Sequence, residues 1–199
     1  SSLVKVAVSL GVIEAPAVSD RIELLVRRMP HGLGTTYIFE HLKPQDRVSF
    51  HGPHGDFHLR PAQRAILMIA GGSGLAPMKA ILEDMRRAGN RRRTRLFFGA
   101  GSRRDLFLLE ELRRLETDLA DFQLIPALAQ PLPGDNWQGE TGLITEVIER
   151  HLAKGYQADA YLCGSPAMID ACLAVLAHKN FDAERIYFDK FTRMPPEGA

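Results

Sequence analysis

The sequence predicts an α/β fold whose C-terminal part is a five-stranded parallel sheet with flanking helices. From about residue 61 onward, β-like apolar runs alternate with helical patterns, as in proteins built from strand–helix–strand units. The first of these runs, 65–70, is apolar throughout, which is typical of a strand buried on both faces. Before residue 61 apolar and polar residues alternate instead, which predicts half-buried antiparallel strands. Two parts are therefore expected, 1–60 and 61–199.

The elements of the second part are predicted in regular succession. Strands are expected at 65–70, 94–99, 122–128, 160–163 and 185–188, and helices at 76–88, 105–116, 141–152 and 166–179. Ser165 and Pro166 mark the start of the last helix, as an N-cap and a proline at the first helical position. Five strands alternating with four helices imply right-handed crossovers and a parallel sheet, and ligands of such sheets bind at the carboxyl ends of the strands.

The first part is predicted to contain short strands and one short helix. The alternating segments are 4–9, 22–27 and 48–51, a turn is expected at 52–55, and the helix at about 35–42. The segment 91–93 is a run of arginines, which we interpret as a solvated face.

Composition excludes several classes of protein. The 199 residues carry a formal net charge of +1, which gives no bias toward nucleic acid. The two cysteines cannot form a disulfide framework, nor hold a [2Fe–2S] cluster, which needs four. No apolar stretch reaches the roughly 20 residues of a membrane helix, and no signal peptide is visible. A cytoplasmic protein is expected, either free or peripheral to a membrane complex.

A glycine-rich turn follows the first buried strand. Gly71, Gly72, Ser73 and Gly74 lie between that strand and a helix whose first turn contains Pro77. Glycines permit positive φ and close backbone approach, and a helix N-terminus offers unpaired N–H donors and partial positive charge. This arrangement predicts a site for a nucleotide pyrophosphate. The alternative is a tight β–α turn whose glycines serve packing alone.

Three segments, in this order and spacing, resemble the ferredoxin–NADP reductase superfamily. They are Gly71-Gly72-Ser73-Gly74-Leu75-Ala76-Pro77-Met78, Tyr161-Leu162-Cys163-Gly164-Ser165-Pro166-Ala167-Met168 and Phe188-Asp189-Lys190-Phe191. Segments 32–39, 135–137 and 139–142 are similar to the FAD/NADH domain in the F subunit of the sodium-translocating NADH:quinone reductase and to oxygenase reductases. The resemblance implies a partial FAD-binding β-barrel at 1–60 and an NAD(P)H-binding α/β domain at 61–199.

The resemblance also implies roles for single residues in the second part. The glycine turn would receive the NADH pyrophosphate. Cys163 would lie near the nicotinamide, together with Gly164, Pro166 and Met168 of the same motif, and Phe191 would lie beside the flavin ring. Without the surrounding motif, Cys163 would be interpreted as a small buried hydrophobe, and Phe191 could be a core aromatic that closes the last strand.

Two further sites follow from the resemblance. The segment from Gly32 to Thr36 would receive the flavin pyrophosphate, with hydroxyl donors from Thr35 and Thr36, although Thr35 could be a plain N-cap. Arg103 or Arg104, after the second strand, could hold the 2′-phosphate of NADPH. The resembling NADH enzymes also carry basic residues here, and NADH is the favoured nucleotide.

The chain departs from the family in its first part. Val6-Ala7-Val8-Ser9 stands where the family has Arg-x-Tyr-Ser, so only Ser9 matches. Losing a charged partner of the flavin phosphate would cost about 1.5–3 kcal/mol. Several barrel strands of the family are also missing. FAD binding therefore remains open, and a homodimer that completes the partial barrel is one solution.

The function predicted from these features is that of an NADH-dependent flavin reductase domain. It would pass electrons from NADH through FAD to an iron–sulfur protein or domain, or to a quinone reductase complex. The alternative is a degenerate, flavin-free nucleotide-binding or scaffold module. His51, His54 and His58 could in principle gather around a metal, but a packing role is favoured and no metal is predicted.

Overall fold

The computed structural model describes residues 11–12, 23–49 and 55–191. Strand β1 (Gly11–Val12) pairs antiparallel with β2 (Leu24–Leu25), with Gly11 opposite Leu25. Segment 46–49 forms no strand, so the strand expected from the alternation there is not found in its described residues. Ser9, His51 and His54 lie outside the described residues.

The second part is a parallel sheet of six strands. The strands are β3 (Ala65–Gly71), β4 (Thr94–Ala100), β5 (Phe122–Leu128), β6 (Glu140–Thr141), β7 (Ala158–Gly164) and β8 (Ile186–Lys190). Their order is β6-β5-β4-β3-β7-β8, and every neighbouring pair is parallel. The predicted number of five strands is wrong by one. The extra strand, β6, has two residues beside Ala127 and Leu128, too short to produce a periodic pattern.

Five α-helices accompany the strands in the described part of the chain. They are α1 (Leu33–Thr36), α2 (Leu75–Arg87), α3 (Leu109–Asp118), α4 (Ile144–His151) and α5 (Pro166–His178), and α1 continues as a π-helical turn, Tyr37–His41. Helix α3 begins four residues later than expected. Asp105 and Ser102 instead cap a 3-10 turn, and Leu108 then adopts a left-handed conformation with φ 57°.

The core occupies both faces of the sheet. On one face Met68 and Phe98 pack with residues of α2 and α3, and on the other Leu67 and Phe97 pack with residues of α4 and α5. Residues 66–70 are completely buried, which confirms the prediction of a strand covered on both faces. The chain leaves β3 toward β4 on one side and returns to β7 on the other, so the carboxyl ends of β3 and β7 form the point where strand order reverses.

The arginine run differs from its interpretation as a solvated face. Arg91 and Arg93 are exposed, but Arg92 is buried and its guanidinium lies 2.6 Å from the Asp159 carboxylate. Asp159 enters the sheet as the second residue of β7, and Arg92 lies just before β4. This ion pair links the start of β4 to β7, two strands that are separated by β3. Sequence periodicity reflects only nearby residues and so cannot predict such a contact.

Candidate functional site

The glycine turn lies at the carboxyl end of β3, where the strand order reverses. Gly72 to Gly74 form one 3-10 turn that leads directly into α2. Gly72 has φ +56°, and a Cβ added there would meet nothing within 4 Å. The first turn of α2 contains no acidic residue, so its partial positive charge is not neutralised from within the helix. This part of the turn is an open, electropositive backbone surface.

Gly74 has the opposite role. A Cβ at this position would overlap the carbonyl oxygen of Cys163, so only glycine lets the turn lie directly against β7. The two alternatives for the turn, a pyrophosphate site and a packing role, therefore apply to different glycines. Gly72 leaves space for a ligand, and Gly74 serves packing. Ser73 lies between them, and Pro77 is the third residue of α2.

The second motif meets the first across β3 and β7. Ser165 caps α5 by accepting a hydrogen bond from Met168 N at 3.4 Å, and Pro166 opens the helix. The Met168 side chain lies over both glycine motifs: a Cβ on Gly71 would be 2.5 Å from its Sδ, and one on Gly164 would be 2.7 Å from its Cε. The fold thus brings the residues of both motifs to one edge of the sheet.

Cys163 is the penultimate residue of β7 and is completely buried. It pairs in register with Ala70 on β3 and Asp189 on β8. Burial, and secondarily the Asp189 carboxylate, raise the pKa of the Cys163 thiol well above its ordinary value. The thiol therefore stays protonated and is suited to contact and shape, not to nucleophilic attack.

Phe191 follows β8 and stays attached to the same edge. Its N–H donates to the Gly164 carbonyl oxygen at 2.9 Å, and its half-buried ring packs against the core on the α2 and α3 face. The structure therefore places Phe191 beside Gly164 and close in sequence to Asp189. Both the predicted cofactor-side position and the core role are compatible with this placement.

The segment from Gly32 to Thr36 forms a tight turn and the start of α1. Gly32 is the N-cap and makes no side-chain cap bond, while Thr35 is 7% exposed. The Thr35 hydroxyl accepts from Met29 N at 3.2 Å and lies 3.2 Å from the carbonyl oxygens of Met29 and Gly32. Its hydroxyl thus stabilises the turn, and half-buried Thr36 carries the second predicted hydroxyl.

Arg103 lies after the carboxyl end of β4, on the 3-10 turn that precedes α3, and is exposed. Asp105 Oδ2 closes this turn by accepting from Ser102 N at 3.1 Å and Ser102 Oγ at 2.6 Å. These bonds from Ser102 lower the pKa of Asp105 below its ordinary value. A fixed turn therefore presents Arg103 and its exposed neighbour Arg104 at the same edge of the sheet as the glycine motif.

Lys79 is a buried, ion-paired residue that the sequence pattern did not single out. It is 5% exposed on α2, and its ammonium lies 2.7 Å from Glu111 Oε2 on α3 and 3.3 Å from Glu23 Oε2 before β2. The two carboxylates hold its pKa above the ordinary value although burial opposes this. Its burial could have been predicted from its position, because Lys79 follows Leu75 by four residues and therefore lies on the apolar face of α2.

A polar cleft of about 320 Å³ lies elsewhere, along β5 and β6. Its lining includes Gln123, Gln138, Glu140 and His151, and none of the predicted site residues. Glu140 accepts from Arg150 at 2.9 Å and lies 2.7 Å from His151 Nε2, and these hydrogen bonds lower its pKa. The cleft is therefore a feature of the sheet border and not of the glycine-turn edge.

The described residues offer neither a metal cage nor a membrane helix. Within residues 11–12, 23–49 and 55–191, no group of three His, Cys, Asp or Glu side chains is placed to hold a metal ion. His58, which lies in this range, instead contacts Asp56 at 3.1 Å and Arg60 at 2.9 Å. None of the helices in the same ranges is long and apolar enough to span a bilayer.

A doubly wound parallel sheet, with an open glycine turn at the reversal of strand order, is typical of dinucleotide-binding domains. Residues 68–173 match the family model of the oxidoreductase NAD-binding domain, and residues 5–59 match that of the oxidoreductase FAD-binding domain. The first match covers more than half of the chain, and the protein belongs to the oxidoreductase NAD-binding domain family.

Several known proteins are similar to the chain. The reductase component of propane 2-monooxygenase from Mycolicibacterium goodii is 32% identical over 188 residues, which cover 92% of this chain and 54% of the relative. The F subunit of the Na(+)-translocating NADH-quinone reductase from Actinobacillus succinogenes is 34% identical over 168 residues, or 82% and 41% of the two chains. The Amycolatopsis cytochrome P450 reductase GcoB has a TM-score of 0.78 and 30% identity, covering 86% of this chain and 52% of that one.

These similarities confirm the predicted resemblance to ferredoxin-reductase-like enzymes, to the sodium-translocating quinone reductase and to oxygenase reductases. They also confirm the predicted α/β fold, and the two family matches are to NAD-binding and FAD-binding oxidoreductase domains. The chain spans about half the length of the relatives it matches.

Proposed function

We propose that this chain binds NADH along the carboxyl ends of β3 and β7 and delivers its hydride to FAD held with the help of the first part of the chain. The observation that carries the proposal is the open backbone at Gly72, placed before an acid-free helix turn and at the reversal of strand order. A dinucleotide pyrophosphate is the anion that such a surface receives.

Each residue of the edge has a distinct task in this proposal. The backbone of 71–74 binds the pyrophosphate, and Pro77 supports the helix start without using a donor. Gly164 and Met168 shape the floor between the two strands, and Cys163, which is completely buried and stays protonated, supports this floor from beneath. Alignment of the reacting groups, not acid–base chemistry, is the protein's contribution.

FAD, when bound, accepts the hydride and releases the electrons singly to an acceptor. Thr36 and the backbone near Gly32 would face its pyrophosphate, Ser9 would add a hydroxyl donor, and Phe191 would lie beside the ring system. In this proposal the domain boundary near residue 61 separates the flavin side from the nucleotide side. We assign the electron acceptor to an iron–sulfur protein or domain, or to a quinone reductase complex.

The nucleotide preference and the setting of the protein belong to the same proposal. Arg103 and Arg104 are exposed where the adenosine ribose of a dinucleotide would lie. Because the resembling NADH enzymes also carry basic residues at this position, we propose that the nucleotide is NADH. A comparison of the KM values for NADH and NADPH tests this preference. A cytoplasmic location, free or at the surface of a membrane complex, suits two unpaired, buried cysteines. A homodimer that completes the barrel is checked by sedimentation.

A second candidate is a flavin-free nucleotide-binding module. It is favoured by the Thr35 hydroxyl, whose bonds to Met29 and Gly32 are already made within its own turn. Absorption spectra of the purified chain, before and after incubation with FAD, separate the two candidates. Flavin bands that bleach on anaerobic addition of NADH support the reductase. A chain that binds NADH by calorimetry but takes up no FAD supports the module, and a chain that binds neither overturns both.

A further inference from the structure

The segment that joins the two parts of the chain is held at three backbone atoms. This connecting segment, residues 55–64, runs from the end of the first part to the start of β3. Arg60 N donates to the Tyr161 hydroxyl at 2.9 Å, Arg92 Nη1 donates to the Arg60 carbonyl oxygen at 3.1 Å, and Arg92 Nε donates to the Arg64 carbonyl oxygen at 2.6 Å. Both backbone groups of Arg60 are thus fixed by side chains of the nucleotide-binding part.

The cation that makes two of these bonds is itself buried and paired. The side chains of Arg92 and Asp159 are 4% and 1% exposed, and their closest N–O distance is 2.6 Å. Within the described part of the chain, the second oxygen of Asp159 has no hydrogen-bond partner. A buried ion pair can often be replaced by apolar side chains without loss of stability. Apolar side chains could not, however, replace the N–H donors of Arg92 that hold the connecting segment.

The third contact uses a rigid aromatic side chain. Tyr161 is completely buried, stacks on Tyr187 with centroids 5.2 Å apart, and meets Phe57 of the connecting segment edge-on at 5.9 Å. The Arg60 guanidinium lies over the ring of Tyr187, with its Cζ atom 5.0 Å from the ring centre. The ring and hydroxyl of Tyr161 therefore cannot follow the connecting segment if it moves.

The position of these anchors relates them to the proposed reaction. Asp159, Tyr161 and Cys163 are alternate residues of β7, so their side chains lie on the same face of the sheet, about 7 Å apart from one to the next. The strand that carries Cys163 to the nucleotide edge therefore also carries Tyr161, one anchor of the segment that leads to the flavin side, and Asp159, the counter-charge of the other anchor. One rigid strand sets both positions.

We propose that Arg92, Asp159 and Tyr161 form a clamp on the connecting segment that positions the first part of the chain relative to the nucleotide edge. They are positioning residues: none of them belongs to the proposed cofactor sites, and they act through the placement of residues 55–64. This inference rests on the proposed function, and its structural half can be tested without any cofactor.

The first test measures that placement directly in the full chain. Both native cysteines are buried, so spin labels attach selectively at Lys43→Cys and Lys154→Cys, two exposed positions, one in each part of the chain. Pulsed electron resonance then gives the distance distribution between the labels. Tyr161→Phe should broaden it, and Arg92→Met should broaden it more. Unchanged distributions in both folded variants would overturn the clamp.

Matched controls separate the clamp from general destabilisation. Arg93→Met removes a neighbouring arginine that pairs at the surface with Asp121, 3.0 Å away. Tyr156→Phe removes a buried hydroxyl that has no hydrogen-bond partner in the described residues. Neither control should alter the label distances. If Arg92→Met does not fold, Tyr161→Phe, which loses one hydroxyl and keeps its ring, still decides the question.

The second test asks whether placement matters for electron transfer. Stopped-flow flavin reduction at saturating NADH should slow about 10-fold in Tyr161→Phe, since a misplacement of about 1 Å can cost about 100-fold. The Kd for NADH should stay unchanged, because no anchor lies in the glycine turn. A weaker Kd with an unchanged rate at saturation would contradict a positioning role. A wild-type chain that NADH cannot reduce would refute the proposed function but leave the label experiment valid.

Discussion

The most informative perturbation is a negative charge at Gly72. Gly72→Asp and Gly72→Asn add side chains of nearly equal shape at a position with φ +56° and open space, and both residues tolerate this backbone conformation better than other side chains do. The two variants therefore share the same strain and bulk. They differ in one formal charge, placed where we expect the pyrophosphate to bind.

The magnitude follows from Coulomb's law and from the exposure of the turn. Two unit charges 4 Å apart interact by about 1 kcal/mol in water and about 4 kcal/mol at an effective dielectric constant of 20. Gly72 is half-buried, so a value near the lower limit, about 1.5 kcal/mol, is appropriate. This corresponds to binding of NADH about 10-fold weaker in Gly72→Asp than in Gly72→Asn.

The assay is calorimetric titration of each variant of the full chain with NADH, at low and at high salt. The difference between the two variants should shrink as salt increases, because exposed charges are screened. Gly89→Asp is the matched control: Gly89 has φ +62° and equally open space, but it lies beyond the opposite end of α2. It should bind NADH as the wild type does.

Equal affinities of Gly72→Asp and Gly72→Asn for NADH would show that no anion binds beside Gly72. The glycine turn would then be a packing device alone, and the nucleotide would have to bind elsewhere. A loss of affinity in Gly89→Asp as large as in Gly72→Asp would show that the effect is global and not local to the turn.

Three further predictions concern other parts of the molecule. Burial raises the pKa of Cys163 strongly and that of Cys172 to about 12. Iodoacetamide at about pH 8 should therefore modify neither thiol in the native chain and both thiols after denaturation, as measured by mass spectrometry. Rapid labelling of Cys163 in the native chain would contradict its burial. Gly74→Ala should lower the thermal midpoint and abolish NADH binding together, because its Cβ would overlap β7, whereas Gly134→Ala, with open space around it, should change neither. Glu140 has its pKa lowered from the ordinary 4.5 by its two basic partners, so its contribution to stability is present above pH 4.5 and is lost as the pH falls through the lower folded-state value. Urea unfolding of Glu140→Gln should therefore depend less on pH in this acidic range than the wild type, and an identical pH dependence would show that the ion pairs contribute nothing.

Much of the nucleotide-binding part could be predicted from local pattern. Strand β5 was expected at 122–128 and is found there, and the fully buried β3 was recognised because an uninterrupted apolar run needs cover on both faces. The start of α5 was expected at Pro166 because Ser165 caps it. These features depend on neighbouring residues in the chain, and a periodic or capping signal reports them.

The errors share a different cause. Strand β6 forms because Glu140 and Thr141 pair with the end of β5, and a two-residue strand is too short to show a periodic pattern in the sequence. Arg92 was expected in solvent with its neighbours but is buried, because Asp159, 67 residues later, provides its counter-charge inside the sheet. Thr35 is not the N-cap that the sequence also allowed, because Gly32 takes that position and the Thr35 hydroxyl instead accepts from Met29 N.

The class of fold, the succession of the longer strands and helices and the place of the glycine turn can be deduced from the amino-acid sequence alone, because they follow from periodicity and from what glycine and proline permit. The different roles of the two glycines in the turn come from tertiary contacts: Gly72 has open space around it while Gly74 touches β7, although both residues are glycine. Tertiary contacts also decide which arginine of three is buried. The physical reason is that contact between distant segments sets burial and pairing, and these contacts exist only once the sheet has assembled.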